Sequence, residues 1–237
     1  MINKPVLIVT GSSKGIGKFL VKHYVKKGFV VIGCSRGSVD YEINNYSHYR
    51  LDVSDEDKVK NLFKDIRKEH GRLDVLINNA GIASINHVML TSSDESKNLF
   101  NTNFHGTFIF SREAVKLMKL NSYGRIINLS SIHVPLSLEG SSIYGSSKAA
   151  IEHFTGVLSR EVFKLGITVN VLSLSIVKDS GMEFIIKKEI EDIILGQTIS
   201  KEKINLNDII HAINFFIDKK SNMISNQIMY LGGCFSR

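Results

Sequence analysis

The sequence predicts a doubly wound α/β fold of the Rossmann type, in which a parallel sheet of about seven strands carries helices on both faces. Short apolar runs rich in β-branched residues alternate with longer segments of helical periodicity, as in consecutive βαβ units. The runs are apolar throughout rather than alternating, which is expected of parallel strands buried on both faces. The chain of 237 residues contains no repeat or linker, so a single domain over residues 1–237 is expected.

Six strands are predicted from the clear apolar runs, at Pro5–Val9, Phe29–Gly33, Val75–Asn78, Arg125–Leu129, Thr168–Leu172 and Gln227–Leu231. A shorter piece around Tyr49–Val53 is expected to add a seventh. Helices are predicted at Ile16–Lys27, Asp55–His70, Asp94–Leu120 with a break, Ser142–Leu165, Gly181–Leu195 and Asn207–Asp218. The segment between Arg36 and Tyr49 is polar and rich in Asn, and we expect a loop there in place of a helix.

The composition excludes several classes of function. The net charge of +7 is spread over scattered basic residues, which argues against a nucleic-acid-binding surface. No apolar run approaches the roughly 18 residues that a membrane span needs, and the N-terminal run is too short for a signal peptide, so we expect a cytoplasmic protein with no membrane partner. The two cysteines are far apart and have no ligand spacing, so neither a disulfide nor a metal site is expected.

A glycine-rich turn, TGSSKGIG at Thr10–Gly17, links the first predicted strand to the first helix. Glycine allows the backbone to approach a pyrophosphate closely, and a helix N-terminus supplies free N–H groups and a positive dipole end. A nucleoside-triphosphate loop is excluded, because Phe19 stands where that loop needs Ser or Thr. We expect the phosphate contacts of a dinucleotide to come from Gly11, Ser13, Lys14, Gly15, Ile16 and Gly17.

The spacing TGxxxGxG resembles that of the short-chain dehydrogenase/reductase family, and further motifs extend the resemblance over nearly the whole chain. They are, in chain order, Asp52–Val53, the NNAG sequence Asn78–Gly81, Asn103, Ser131 and the YGSSK sequence Tyr144–Lys148. Within that family, the chain resembles the 3-oxoacyl carrier-protein reductases. The resemblance implies that the Asp52 carboxylate contacts the adenine amine, with Val53 beside it. It also implies that Asn79, Ala80 and Gly81 flank the cofactor.

The candidate catalytic residues combine a phenol, an ammonium and a hydroxyl. Tyr144 and Lys148 are four residues apart and therefore share one face of a predicted helix. A nearby ammonium favours phenolate, which brings the phenol toward acid–base work at neutral pH. Ser131 ends a predicted strand, where open α/β sheets present groups to ligands; Ser130 is its neighbouring alternative. The resemblance implies that Tyr144 donates the proton, Ser131 polarises the carbonyl, Lys148 also holds the ribose, and Asn103 binds a water linking Lys148 to solvent.

The end of the second strand indicates which dinucleotide is used. Members of the family that prefer NAD have an acid there, which binds the adenosine ribose diol. This chain has Ser35-Arg36 at that point. Arg36 suits a 2′-phosphate, Lys14 adds a second positive charge, and Ser13 and Ser35 are further donors. The expected cofactor is NADP(H).

One segment departs from the family pattern. After the sixth strand the family has Pro-Gly followed by Thr, whereas this chain has Leu174-Ser175. We expect Ile176 to present its backbone to the nicotinamide carboxamide, and Ser180 is the candidate to replace the Thr hydroxyl. His133 is expected in the wall of the substrate pocket.

These features predict a reductase that converts a ketone, with a 3-oxoacyl thioester as the candidate, to a secondary alcohol. The substrate is a small molecule or is bound to a carrier protein. A homodimer or homotetramer paired through Asn101–Leu120 and Ser142–Leu165 is expected by resemblance. Two alternatives stay open. A nucleotide-sugar-modifying relative would have TGxxGxxG spacing and a longer C-terminal region. A dinucleotide-binding regulator or scaffold would account for the altered Pro-Gly segment.

Overall fold

The computed structural model describes residues 4–181 and 188–234. The strands are β1 Val6–Thr10, β2 Val30–Ser35, β3 Tyr46–Arg50, β4 Val75–Asn78, β5 Gly124–Ser131, β6 Ile167–Leu174 and β7 Ile228–Leu231. The α-helices are α1 Gly15–Lys26, α2 Glu56–His70, α3 Ser93–Phe100, α4 Gly106–Met118, α5 His133–Leu136, α6 Ser142–Val162, α7 Lys188–Gly196 and α8 Leu206–Ile217. The strands form one parallel sheet in the order β3-β2-β1-β4-β5-β6-β7.

Apolar side chains cover both faces of this sheet. Helices α2, α4 and α6 pack on one face, where Phe63 and Phe110 lie in a common core with β1 and β4. Helices α1 and α8 pack on the other face, where Tyr24 and Phe216 are buried. Strands covered on both sides have no polar face, which explains why they read as continuous apolar runs. The doubly wound fold that the sequence predicts is confirmed.

The prediction for the seventh strand was wrong in position. It was expected at Tyr49–Val53, but β3 begins at Tyr46 and ends at Arg50, in register with β2. The strand cannot continue to Val53, because Asp52 turns the chain by accepting hydrogen bonds from the backbone N–H and hydroxyl of Ser54. The segment between Arg36 and Tyr49 contains no helix, as expected, but its last three residues, 46–48, belong to β3 and not to the loop.

The break expected in the helix over Asp94–Leu120 is a π-helical turn, Asn101–His105, between α3 and α4. Such a turn widens the helix by one residue and commonly lies at functional sites. Of the helix predicted at Gly181–Leu195, residues 182–187 lie outside the described residues, and α7 forms the rest. The short α5 and the 3₁₀ turn Val88–Leu90 were not predicted.

In a parallel sheet all carboxyl ends of the strands lie at one edge, and crossovers on opposite faces leave a crevice there. In this fold β1 and β4 are neighbours at the centre, although β2 and β3 follow β1 in sequence. The residues after β1, β4, β5 and β6 therefore meet at one edge. Within residues 4–181 and 188–234, no helix has the length and apolarity needed to cross a membrane, and no cluster of His, Cys, Asp or Glu could hold a metal ion.

Candidate active site

The glycine-rich turn between β1 and α1 forms a cradle for an anionic group. Gly11 and Gly15 adopt the left-handed region, with φ of 70° and 52°. A Cβ on Gly15 would collide with the backbone carbonyl of Ser180, so only glycine lets the two backbones approach this closely. Lys14 caps α1 without a side-chain hydrogen bond to the first turn. The N–H groups of that turn can therefore receive a phosphate, and the residues fit the diphosphate of a dinucleotide.

The residues after β4 fasten the glycine turn to the centre of the sheet. Thr10 Oγ1 accepts hydrogen bonds from the backbone N–H groups of Asn79 and Ala80, at 3.0 and 2.9 Å. The Asn79 side-chain amide donates to the carbonyls of Thr10 and Gly11, at 2.8 and 3.2 Å. The segment Asn79–Gly81 thus lies beside the turn, as the resemblance implies. The side-chain amide of Asn79 stabilises the turn through its two hydrogen bonds.

The end of β2 carries a polar network that the sequence analysis missed. Ser35 Oγ donates to the Gly37 carbonyl at 2.8 Å and lies 3.2 Å from His48 Nε2. His48 Nδ1 lies 2.9 Å from the Tyr46 hydroxyl, which lies 3.0 Å from Ser12 Oγ. These residues come together because β3 begins earlier than predicted and brings Tyr46 and His48 beside β2. The cluster of Tyr and His in an otherwise polar loop was the available signal.

The basic residues predicted to read the 2′-phosphate lie near this network. Arg36 follows Ser35 directly and is exposed, with its carbonyl accepting from Arg50 Nε at 3.0 Å. Lys14 is exposed on the glycine turn. The nearby carboxylate of Asp40 is paired with Lys18 at 2.8 Å. Positive charge at this end is therefore available to an anionic ligand.

Asp52 and Val53 follow β3. Asp52 is half-buried, and one of its carboxylate oxygens is occupied by the two bonds from Ser54 described above. Val53 is buried against Gly106 at the start of α4; a Cβ on Gly106 would come within 2.6 Å of the Val53 side chain. The structure thus gives Val53 a packing role, which the sequence analysis did not foresee.

Ser131, Tyr144 and Lys148 come together at the carboxyl edge of the sheet. Ser131 is the last residue of β5, while Tyr144 and Lys148 lie on the first turns of α6; they are 5%, 8% and 6% exposed. The Ser131 hydroxyl lies close enough to the Tyr144 phenol to lower its pKa. Lys148 Nζ donates to the carbonyl of Leu129, two residues before Ser131, at 3.0 Å. The three groups predicted for catalysis are therefore adjacent.

Burial sets the protonation of this group. Burial raises the pKa of Tyr144, and the nearby Ser131 hydroxyl partly opposes that rise. Burial lowers the pKa of Lys148 to about 8, and the charge of Glu152 opposes that fall. At neutral pH the phenol therefore holds its proton and Lys148 is mostly an ammonium. The lower phenol pKa expected from the neighbouring ammonium is not found, because burial is the larger effect.

Asn103 lies in the π-helical turn and is fully buried. Its amide donates to the Ile82 carbonyl and to Ser147 Oγ, both at 3.0 Å, and its Oδ1 accepts from the Ile82 N–H at 2.9 Å. A Cβ on Gly81 would lie 3.3 Å from Asn103 Oδ1 and 3.4 Å from Lys148 Nζ, so both atoms flank Gly81. Asn103 therefore ties the loop after β4 to α6 next to Lys148.

A cavity of about 460 Å³ opens beside the three catalytic candidates. Predicted site residues in its lining are Ile16, Asn79, Gly81, Ser131, Tyr144, Lys148 and Ile176. Its apolar wall comprises Ile82, Ala83, Ile85, Ile132, Leu174, Val177, Ile190 and Ile194. The structure does not bring Ser35, Arg36, Asp52 or Val53 into this cavity, because they follow β2 and β3 farther along the edge. A dinucleotide would have to span from those residues to the cavity.

His133 lies in the cavity wall, as expected. Its ring packs edge-to-face on the Tyr144 ring at 5.3 Å, and burial lowers its pKa to about 4. The imidazole is therefore neutral at physiological pH. This side chain shapes the wall beside Tyr144 without adding charge to it.

The segment that departs from the family pattern also lines the cavity. The Leu174 carbonyl accepts from the Ile132 N–H at 3.1 Å, and the Ile176 carbonyl accepts from the Ile204 N–H at 2.9 Å. Backbone hydrogen bonds from Ile132, just after β5, and from Ile204 thus hold the segment in place without Pro-Gly. Ser175 and Ser180 lie in the lining as well.

The comparisons with known proteins agree with this geometry. The sequence profile of the family described as short chain dehydrogenase matches residues 5–190. A 3-oxoacyl-[acyl-carrier-protein] reductase FabG of Buchnera aphidicola (subsp. Schizaphis graminum) is 31% identical, with 98% of this chain and 97% of the relative covered. The FabG of Salmonella typhimurium is 29% identical, with 96% of each chain covered.

Solved structures show the same architecture. ElxO with NADP bound superimposes with a TM-score of 0.86 at 32% identity, covering 97% of both chains. A short chain dehydrogenase from Leptospira borgpetersenii with bound NAD+ gives a TM-score of 0.88 at 23% identity, covering 99% of this chain and 94% of the other. The second likeness supports the fold. Together with the family match, these findings place the chain in the short chain dehydrogenase family of oxidoreductases.

Proposed function

We propose that this protein is an NADP(H)-dependent reductase that converts a ketone, such as a 3-oxoacyl thioester, to a secondary alcohol. The observation that carries the proposal is the convergence of Ser131, Tyr144 and Lys148 on an apolar cavity, next to a glycine cradle at a helix N-terminus. A nucleophilic or metal-assisted reaction has no comparable support in the described residues.

The glycine turn, Tyr144 and Lys148 would hold NADPH, which would supply the hydride for the carbonyl carbon. Tyr144 donates its phenolic proton to the carbonyl oxygen, and burial keeps that proton in place beforehand. Ser131 donates a hydrogen bond to the same oxygen as negative charge develops on it. The Lys148 ammonium stabilises the phenolate left behind. Asn103 holds the loop and α6 in position around Lys148.

The preference for NADP(H) is supported by the end of β2. Arg36 and Lys14 supply positive charge there, and the Ser35 hydroxyl is oriented by Gly37 and His48. The ElxO structure, which is similar over nearly the whole chain, holds NADP. We assign the adenine end to Asp52 and Val53, and the nicotinamide end to Tyr144, Lys148 and Ile176.

The walls of the cavity support an apolar substrate. The residues lining it from the loop after β4, from α7 and from the segment after β6 include four Ile of the first two segments and Ile176 and Val177 of the third, with Ser84, Ser175 and Ser180 as the hydroxyl groups among them. A sugar would leave several hydroxyls without partners there, which is costly. The acyl chain of a 3-oxoacyl thioester suits such walls, and the FabG relatives carry that substrate class in their name.

The experiment is an assay of NADPH oxidation with an acetoacetyl thioester, an aliphatic mono-ketone and a nucleotide sugar. The proposal expects turnover with the thioester or the mono-ketone and none with the sugar. The altered Leu174-Ser175 segment is the one observation that favours a cofactor-binding regulator. Binding of NADPH with no turnover of any ketone would support that alternative, and no binding of NADPH or NADH would refute both.

We extend the proposal to assembly and compartment. Helix α6 exposes Val157, 46% accessible, and Phe163 follows it at 39%, which supports pairing through this helix in a homodimer or homotetramer. Both cysteines are free thiols, as fits the reducing cytoplasm. Gel filtration with light scattering measures the assembly, and a monomer would contradict it.

A further inference from the structure

Glu152 lies one helical turn after Lys148 on α6, and neither the motifs nor the proposed reaction gives it a role. The side chain is half-buried. Its Oε1 accepts a hydrogen bond of 2.7 Å from Ser130 Oγ. Ser130 is 4% exposed and stands between Leu129, whose carbonyl accepts from Lys148, and Ser131. One carboxylate is thus attached to the short stretch of β5 that orders two catalytic groups.

The same carboxylate acts electrostatically on Lys148. Burial lowers the pKa of Lys148 to about 8, and Glu152 is the charge that raises it again. The other titratable groups facing Glu152 are Tyr230 on β7 and Cys234 just after it, and burial together with Glu152 raises the pKa of both. Neither carries charge at neutral pH. Among the described residues, Glu152 is therefore the charged partner that opposes the desolvation of Lys148.

We propose that Glu152 is a positioning residue for catalysis, whose charge supports the Lys148 ammonium and whose hydrogen bond to Ser130 fixes the end of β5. The proposal rests on the proposed function, in which Lys148 must be cationic to hold NADPH and to stabilise the phenolate. A carboxylate one turn away supplies this support without touching the substrate.

The two parts of the role can be separated by substitution. Glu152→Gln keeps an oxygen that can accept from Ser130 but removes the charge. Ser130→Ala removes the hydrogen bond and keeps the carboxyl group, whose pKa then rises because that bond lowers it; the alkaline range of the titration is where this carboxyl stays ionised. Glu152→Asp keeps the charge on a shorter side chain and tests for rescue. Each change is small enough that circular dichroism and thermal unfolding can verify the fold before any titration.

The test is the NADPH dissociation constant, followed by cofactor fluorescence as a function of pH, together with the pH profile of reduction. Removing the charge one helical turn from Lys148 should lower the pKa of Lys148 by about one unit. We expect the pH at which the wild type loses NADPH affinity to fall by about one unit in Glu152→Gln. At pH values above the wild-type midpoint, the variant should bind NADPH about tenfold more weakly than the wild type does. The alkaline limb of the reduction profile should move the same way.

The controls decide the outcome. Ser130→Ala and Glu152→Asp should keep the wild-type midpoint, and Ser130→Ala should lower kcat because Ser131 loses its support. A Glu152→Gln midpoint equal to that of the wild type overturns the electrostatic role, as does an equal shift in Ser130→Ala. A wild type that binds NADPH and reduces ketones but shows either result contradicts only this inference. A wild type that binds no NADPH at any pH overturns the proposed function and this inference with it.

Discussion

Replacing Gly15 by Ala should destabilise the protein and weaken NADPH binding, for two reasons that the chain allows to be measured separately. Gly15 has φ of 52°, and an L-residue in the left-handed region costs about 1–2 kcal/mol. In addition, the new Cβ would collide with the Ser180 carbonyl, and overpacking of this kind costs about 1–3 kcal/mol. The total is about 2–5 kcal/mol. For a chain of this size each kcal/mol corresponds to about 2–4 °C in Tm.

Gly71→Ala is the matched control. Gly71 has φ of 67° at the C-terminus of α2, but a Cβ there meets nothing within 4 Å. The free energy of unfolding of Gly71→Ala should fall only by the backbone cost of about 1–2 kcal/mol, and this variant should keep its affinity for NADPH. The measurements are thermal unfolding and titration with NADPH, where Gly15→Ala should lose about tenfold or more in affinity because the cradle deforms. Equal changes in Tm and unchanged affinity in both variants would refute the close approach of Gly15 to Ser180.

Four further predictions concern the site. Tyr144→Phe should lower turnover at least ~10²-fold with NADPH binding unchanged by fluorescence, and turnover near that of the wild type would remove Tyr144 as the acid. Arg36→Ala should weaken NADPH by roughly ten- to a hundredfold, since a charge-assisted bond contributes about 1.5–3 kcal/mol, and spare NADH; equal losses of both would reject this assignment. Because burial lowers the pKa of Lys148 to about 8, the positive charge of Lys148 is present below that pH and lost above it. NADPH affinity, measured by titration, should therefore stay constant below pH ~7 and fall up to ~tenfold per pH unit above pH ~8. An affinity that does not change with pH would contradict this role of Lys148. Thr10→Val leaves the Ala80 N–H without its acceptor and should lower the free energy of unfolding by about 1–3 kcal/mol in urea, whereas Thr10→Ser keeps the hydroxyl and should not. No loss in Thr10→Val, or a loss in Thr10→Ser as large as in Thr10→Val, would contradict the role of the hydroxyl.

The sequence predicted the buried strands and the helices between them well, because those elements depend on local periodicity and on burial of both sheet faces. It was less successful at β3, which starts three residues before the predicted piece. Tyr46, Ser47 and His48 are half polar and carry no apolar run; they become a strand because β2 offers them a free edge with matching register. The π-helical turn at Asn103 was foreseen only as a break, since one extra residue in a helix leaves no distinct pattern.

The sequence by itself determined which chemical groups the site contains. The glycine turn, the order of the motifs and the i, i+4 relation of Tyr144 and Lys148 are all local in the chain. The tertiary structure alone decided what surrounds those groups. Ser130 and Glu152 are 22 residues apart and meet only because α6 packs on β5. Likewise His48 reaches Ser35, and Tyr46 reaches Ser12, only through the pairing of β3 with β2. Burial, which sets the pKa of Lys148 and Tyr144, likewise arises from elements distant in sequence. Contacts of this kind depend on how the elements pack, and no local pattern in the chain encodes them.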